Sequence, residues 1–349
     1  VAGAHGKTTT SAMISCIAAQ SDVDPTVIIG GEVSILGGNA RNGEGRFIIA
    51  EADESDGSFL KLNSYIAVVT NIEDDHLDYY GTEENIYKAF KQFLGNLVEG
   101  GKAILCVDNA KVKALAQEID KEVITYGLEE ADYVAKDICY GVDGTTYKLY
   151  HKDEFVTEVR LIVPGRHNVL NSVGAFVAAR EMGIADETIL KSLEQFGGAK
   201  RRFETKGKVN GVWVVDDYAH HPTEIEVTLK AARQTQPKRL LCLFQPHRYT
   251  RTQLLFKEFC NCFNDCDEVI LTDIYAASEN PIPGITSEAL AEGISKATGK
   301  AVTYIAKLPK AEEYLEAKAT AGDLILTVGA GDVFKVGEEL VKELERKNK

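Results

Sequence analysis

Short apolar runs alternate with amphipathic stretches along most of the chain. Phe47–Ala50, Ile66–Thr70 and Ala103–Val107 are short and bounded by polar residues or glycine, the pattern of strands buried on both faces. Between them, Thr8–Ala19 and Glu84–Val98 carry apolar residues at helical spacing. The second opens on the acidic pair Glu83 and Glu84, which suits a helix amino terminus. From Tyr133 to Val163 the pattern changes to three extended stretches separated by Gly141, Asp143-Gly144 and Lys152-Asp153, which predicts an antiparallel meander. Helices are predicted over Asn168–Met182 and Asp186–Phe196, ending at Gly197-Gly198. The alternation then restarts with strands at Val212–Val215, Leu240–Phe244, Glu268–Thr272, Ala301–Ile305 and Asp323–Val328, as in a second, doubly wound α/β domain.

Composition narrows the picture. A chain of 349 residues fits two domains, and the boundary falls in the Gly197–Arg202 stretch, giving domains over 1–199 and 200–349. Thirty-nine Lys and Arg against 53 Asp and Glu leave a net charge of −14, which disfavours nucleic acid and anionic membrane as partners. Any bound phosphate therefore needs local positive charge. No apolar run reaches the roughly 18 to 20 residues of a membrane span. The seven cysteines, an odd number scattered from Cys16 to Cys266, fit reduced buried thiols and a cytoplasmic location. The chain starts at Val1 almost directly on a glycine-rich turn, which leaves little strand in front of that turn.

Gly3-Ala4-His5-Gly6-Lys7-Thr8-Thr9-Thr10 carries the strongest chemistry. A glycine turn at a helix start offers successive backbone N–H groups to a phosphate, with a lysine for its outer oxygens and a hydroxyl for Mg²⁺. It is shorter than a full phosphate loop, because Val1 stands where the first glycine would be, and alone it equally fits a well-capped helix. Glu51-Ala52-Asp53-Glu54-Ser55-Asp56 and Thr70-Asn71-Ile72-Glu73-Asp74-Asp75-His76-Leu77-Asp78 each follow a predicted strand, where open α/β sheets place ligands. Glu51 and His76 are the candidate metal ligands there, beside Thr8. Gly165-Arg166-His167-Asn168-Val169-Leu170-Asn171 sets His167 and Asn171 on one helical face, and imidazole and amide groups suit an adenine edge.

In the second half, Lys200-Arg201-Arg202-Phe203 lies at the domain boundary, where Arg202 could swing onto a γ-phosphate as the domains close. Asp216-Asp217-Tyr218-Ala219-His220-His221-Pro222-Thr223-Glu224 ends a strand, with Asp217 placed for a ribose hydroxyl and Pro222 for the first helical position. Gln245-Pro246-His247-Arg248-Tyr249-Thr250-Arg251 ends the next and gathers cations for an anionic substrate. Cys260, Cys262 and Cys266 lack a fourth zinc ligand and read as core. Gly329-Ala330-Gly331-Asp332 lacks the third glycine of a dinucleotide fingerprint and reads as a tight turn. The fold class is thus α/β: a P-loop domain with a mainly parallel sheet plus a small antiparallel meander, followed by a Rossmann-like doubly wound domain.

Together, AGAHGKTTT, EADESD, TNIEDDHLD, GRHNVLN, RRFE, DDYAHHPTE and FQPHRYTRT resemble the Mur ligase family, and DDYAHHPTE and PHRYTRT resemble its L-alanine-adding branch. The resemblance covers the family's central and carboxyl-terminal domains and leaves its amino-terminal UDP-binding domain unmatched. It implies ATP-dependent ligation of L-alanine to the carboxylate of UDP-N-acetylmuramate through an acyl phosphate, in cytoplasmic peptidoglycan synthesis, with ATP and Mg²⁺ as cofactors. By the same resemblance Gly3, Ala4, His5, Gly6, Lys7, Thr8 and Thr9 cradle phosphate. Thr8, Glu51 and His76 hold Mg²⁺, His167 and Asn171 the adenine, and Asp217 the ribose. Lys7, His76, Arg202, His220, Arg248 and Arg251 serve the chemistry. Some relatives carry a carbamoylated lysine after the HLD segment; Lys88 and Lys91 lie there, and neither is singled out. The alternatives are a murein-peptide recycling ligase and a P-loop module that binds nucleotide without ligating.

Overall fold

A computed structural model describes residues 1–74, 76–141 and 144–347. Asp75 of the acid–histidine segment and Asp143 of the predicted meander turn lie outside the described residues. The chain forms two compact units, Val1–Lys200 and Arg201–Lys349.

The first unit contains α1 (Lys7–Ala19), β1 (Thr26–Val33), β2 (Gly38–Arg41), β3 (Ile48–Ala50), β4 (Ile66–Val69), α2 (Leu77–Tyr80), α3 (Glu83–Gly95), β5 (Lys102–Cys106), α4 (Ala110–Ala116), β6 (Glu122–Gly127), β7 (Tyr133–Gly141), β8 (Gly144–His151), β9 (Glu154–Leu161), α5 (Arg166–Glu181) and α6 (Asp186–Gln195). One sheet runs β2-β1-β3 and another β4-β5-β6-β7-β8-β9. From β4 to β7 the pairing is parallel, and from β7 to β9 antiparallel, the meander expected from the sequence. Val1 and Ala2 lace the two sheets together. Val1 bonds Ala50 O and Ala52 N at 2.9 and 2.8 Å, while Ala2 bonds Val68 O and Thr70 N at 2.8 and 3.1 Å. This places the glycine turn at the carboxyl ends of β3 and β4, where strand carbonyl ends leave a crevice. A cavity of about 410 Å³ lies beside the same two strands, lined by residues that include Ile14, Ile48, Ile66 and Met182.

α1 and α5 are buried on nearly every face. Their small residues, Ala12, Ala18, Gly174, Ala175, Ala178 and Ala179, let them pack closely with little side-chain entropy to lose. α3 instead has one apolar stripe, Ile86, Ala89, Phe90, Phe93 and Leu94, and its Thr82 cap accepts the Asn85 N–H. That cap starts the helix one residue before the sequence expectation.

The second unit contains β10 (Glu204–Val209), β11 (Val212–Asp217), α7 (Pro222–Gln234), β12 (Arg239–Phe244), α8 (Tyr249–Leu254), α9 (Phe256–Asn261), β13 (Glu268–Leu271), α10 (Ser287–Thr298), β14 (Val302–Tyr304), α11 (Leu308–Lys318), β15 (Asp323–Val328) and α12 (Phe334–Arg346). Its sheet order is β10-β11-β15-β12-β13-β14, parallel except for the edge strand β10. Cys260, Cys262 and Cys266 are buried in its core as free thiols. No helix among the described residues is long and apolar enough to cross a membrane.

Candidate active site

The glycine turn of the first unit is held by the strand end beside it. Ala4 N–H donates to Asn71 O at 3.3 Å and His5 N–H to Asn71 Oδ1 at 2.8 Å, while Thr70 Oγ1 and Asn71 Nδ2 donate to His5 O at 2.6 and 2.9 Å. Gly3 and Gly6 both have positive φ, 138° and 83°. A Cβ on Gly3 would collide with Thr70 Oγ1, and one on Gly6 would sit 2.6 Å from Asn171 Oδ1. Glycine is required at both positions by backbone and by space. The first N–H to bond back along α1 is that of Thr10, to Gly6 O at 2.9 Å. The N–H groups of Lys7, Thr8 and Thr9 therefore lack helical acceptors and sit at the positive end of the helix dipole.

Two acids from the segment after β3 meet this turn. Thr8 Oγ1 donates to Glu51 Oε1 at 2.9 Å, and the other Glu51 oxygen accepts the Gly30 N–H at 2.7 Å. Lys7 Nζ donates to Gly3 O at 2.6 Å, Ala4 O at 3.2 Å and Glu54 Oε1 at 2.8 Å. Glu54 is 2 % exposed, and its second oxygen is buried with no hydrogen-bond partner. His76 Nε2 lies 3.7 Å from Glu54 Oε1, so the contact His76 makes is with Glu54 and not with its expected co-ligand Glu51. Asp53 and Asp56 instead accept the N–H groups of Ser55 and Ser58 in their own turn, at 3.0 and 2.9 Å. Glu54 is the residue sequence reasoning missed; the signal was four acids in six residues, whose mutual repulsion must be relieved by exposure or by a cation.

Asn171 is buried beside Gly6 and bonds Asn168 Oδ1 at 3.3 Å. His167, one helical turn earlier, has its pKa pushed down to about 4 by loss of solvent, which keeps the ring neutral. Lys88 and Lys91 pair with Glu84 and Glu118 at 2.7 Å in exposed ion pairs.

In the second unit the predicted residues gather at the carboxyl ends of β11 and β12. His220 Nδ1 lies 3.0 Å from Tyr218 O, and its ring is 5.9 Å from that of His247. His247 stacks on Tyr275 at 5.6 Å and 9°, and its Nδ1 lies 3.2 Å from Arg251 Nη1. Desolvation, then Arg251, His220 and Arg248, push His247 down to about 4. A neutral Nδ1 can then accept from the guanidinium and aim it. His220 is lowered too, first by desolvation. Arg248 adopts φ 70°, with its N–H on Tyr275 O at 2.8 Å, so the loop after β13 positions this cation. His247 and Tyr275 were not singled out from sequence; the pairing spans two strand-end loops.

Arg202 lies 5.6 Å from the Tyr218 ring. Its neighbour Arg201 is structural: it bonds Asp216 Oδ2 at 3.0 Å and the carbonyls of Gly329 and Gly331, the tight turn expected after β15. His221 caps α7 and Pro222 takes its first position. Asp217 accepts the N–H of Phe203 at 2.7 Å and of Ala219 at 2.8 Å through its two oxygens. Burial raises its pKa from 3.8 to about 6. The folded state thus holds this proton more tightly than the unfolded one, so Asp217 makes stability fall as pH rises from about 4 to about 6, by roughly 3 kcal/mol at most. Urea titrations at a series of pH values should show that fall flattened in Asp217→Asn.

The family models decide the affiliation. The Mur ligase middle domain matches residues 1–179, and the Mur ligase glutamate ligase domain matches residues 201–331. The chain belongs to the Mur ligase family. This Mur ligase chain is 50% identical over 349 residues to the UDP-N-acetylmuramate–L-alanine ligase of Desulforamulus reducens, covering 99% of itself and 76% of that relative. It is 47% identical to the enzyme of the same name from Pelotomaculum thermopropionicum, covering 100% of itself and 76% of that relative. Its structure superposes on the UDP-N-acetylmuramate–alanine ligase MurC of Thermotoga maritima with a TM-score of 0.85 at 27% identity, over 99% of this chain and 74% of that one. The MurF ligase of T. maritima, solved in complex with ADP, shares the fold at 22% identity with a TM-score of 0.76, over 99% of this chain and 79% of that one. As a Mur ligase the chain is an ATP-dependent, ADP-forming ligase of peptidoglycan synthesis.

Proposed function

We propose that this Mur ligase joins L-alanine to the carboxylate of UDP-N-acetylmuramate in the cytoplasm. The observation that carries the reading is a pair of clusters, one within each unit, that each offer groups able to hold an anion. The glycine turn of the first unit presents the first-turn N–H groups of α1 and Lys7 to the phosphates of ATP. The cluster of the second unit presents Arg248 and Arg251, the latter beside neutral His247, to carboxylates. The substrate assignment is supported by relatives of that name at 50% and 47% identity.

The residues present fit Mg²⁺. Thr8 Oγ1 and Glu51 Oε1 are 2.9 Å apart, two oxygen donors of the kind the ion takes while keeping waters and phosphate oxygens. When bound there, it neutralises phosphate charge; His76 is a third candidate donor. In the acyl-phosphate sequence, the muramoyl carboxylate attacks the γ-phosphorus of ATP and ADP leaves. The L-alanine amine then attacks the acyl carbon, and phosphate departs. Lys7 and the α1 N–H groups draw charge from the phosphates as the P–O bond to ADP breaks. Arg202 is assigned to the γ-phosphate, and His220, Arg248 and Arg251 are assigned to orient carboxylates and stabilise the oxyanion. His167 and Asn171 are assigned to the adenine, and Asp217 to the ribose.

ADP release decides the matter, measured with this chain and with a hybrid that restores the quarter of the D. reducens relative it does not span. Release should rise above the ATP-only rate when UDP-N-acetylmuramate and L-alanine are both added. Acceleration by the tripeptide L-Ala-γ-D-Glu-diaminopimelate alone would point to recycling. Nucleotide binding without acceleration by any amine would leave a binding module.

A further inference from the structure

The phosphate-binding turn carries more negative than positive charge. Lys7 faces two carboxylates, Glu51 through Thr8 and Glu54 directly. All three Lys7 N–H donors are engaged, by Gly3 O, Ala4 O and Glu54 Oε1. A phosphate can recruit Lys7 only by displacing one of them. Glu54 is the costly one to displace: it is 2 % exposed and its other oxygen has no partner, so losing Lys7 would leave a buried carboxylate facing only His76, 3.7 Å away. Its backbone is fixed as well, since Glu54 O accepts from the Tyr80 hydroxyl and from Gly57 N–H.

Resting on the reading of this turn as a nucleotide site, we propose that Glu54 is a specificity-determining counter-ion. By holding Lys7 when no phosphate is bound, it makes the turn discriminate against nucleotide that arrives without a divalent cation. Free ADP must compete with Glu54 for Lys7 and also meets the Glu51 charge. ADP carrying Mg²⁺ brings the positive charge that compensates both carboxylates, so Lys7 is shared between Glu54 and phosphate and not torn from either. The unpartnered Glu54 oxygen is consistent with this: among the described residues, Lys7 is the ion-pair partner within 3 Å of the carboxylate.

The test is titration calorimetry of the 349-residue chain with ADP, in excess Mg²⁺ and in excess EDTA. Wild type should bind Mg-ADP more tightly than free ADP. Glu54→Gln should tighten free ADP at least about tenfold, on the scale of one hydrogen bond to a charged group, with Mg-ADP little changed, so that the ratio between the two collapses. Glu54→Met, which removes the charge together with the unpartnered oxygen, should do the same and serves if the glutamine variant folds poorly. In a Lys7→Met background the Glu54→Gln gain should vanish. If both Glu54 variants weaken the two forms alike, or change neither, Glu54 is only structural and the inference fails. If wild type binds ADP in neither condition, the nucleotide reading fails first and takes this inference with it.

Discussion

Lys7→Met should weaken Mg-ADP binding by about ten- to hundredfold, because a charge-assisted hydrogen bond of this kind contributes about 1.5–3 kcal/mol. Titration calorimetry reads the loss directly. The same substitution should also lower the stability of the first unit. Among the described residues it removes the one ion-pair partner within 3 Å of Glu54, whose side chain is 3 % exposed, and stranding a buried carboxylate costs about 3–5 kcal/mol. The two effects separate in the double variant Lys7→Met, Glu54→Met. Its urea midpoint should return toward wild type, since both partners are then apolar, while binding stays weak. A double variant as unstable as Lys7→Met would show that the ion pair is not the source of the loss.

Arg201→Ala should strongly destabilise the second unit, although Arg201 takes no part in the proposed chemistry. Asp216 is fully buried, and Arg201 Nε lies 3.0 Å from its Oδ2. The guanidinium also ties the carbonyls of Gly329 and Gly331 and lies 4.9 and 4.6 Å from the rings of Tyr218 and Phe334. Burial already raises the Asp216 pKa, offset in part by Thr327 and Arg201. Without Arg201 the buried carboxylate loses its ion-pair partner and keeps the Thr327 hydroxyl at 2.6 Å, and unfolding of this unit should become about 3–5 kcal/mol easier at neutral pH. Because a protonated Asp216 carries no charge to strand, the loss should shrink as pH falls. Asp216→Asn should restore part of it at pH 7. Denaturant melts at two pH values test each point, and a pH-independent loss would assign the effect to packing alone.

Legibility differed between elements for identifiable reasons. The strands Leu240–Phe244 and Asp323–Val328 read correctly because they are buried on both sides and nearly all apolar, whereas β3, expected to be buried on both faces, leaves Ile48 70 % exposed. Those not read lie at edges or are interrupted. β10 is Glu-Thr-Lys-Gly-Lys-Val, an edge strand whose polar side chains protect an unpaired edge. β2 is Gly-Asn-Ala-Arg, with no large apolar residue, and β1 is broken by Gly30-Gly31. β6, Glu-Val-Ile-Thr-Tyr-Gly, mixes polar and apolar positions, yet pairs in the parallel sheet.

The sequence by itself determined the local devices: a glycine turn that only glycine can make, a lysine and hydroxyl placed after it, acids and cations at strand ends, and the order of motifs that marks a Mur ligase. These are properties of neighbours in the chain, where residue type and spacing are enough. Tertiary structure decided the pairings. Of four acids between residues 51 and 56, it sent Glu51 to Thr8 and Glu54 to Lys7, and left Asp53 and Asp56 to their own turn. It chose Arg201 over Arg202 for the buried Asp216, and brought Tyr275 onto His247 from another strand end. Burial sets the cost of a charge, and burial depends on what the sheet and helices bring from far along the chain; no spacing rule within a segment contains that information.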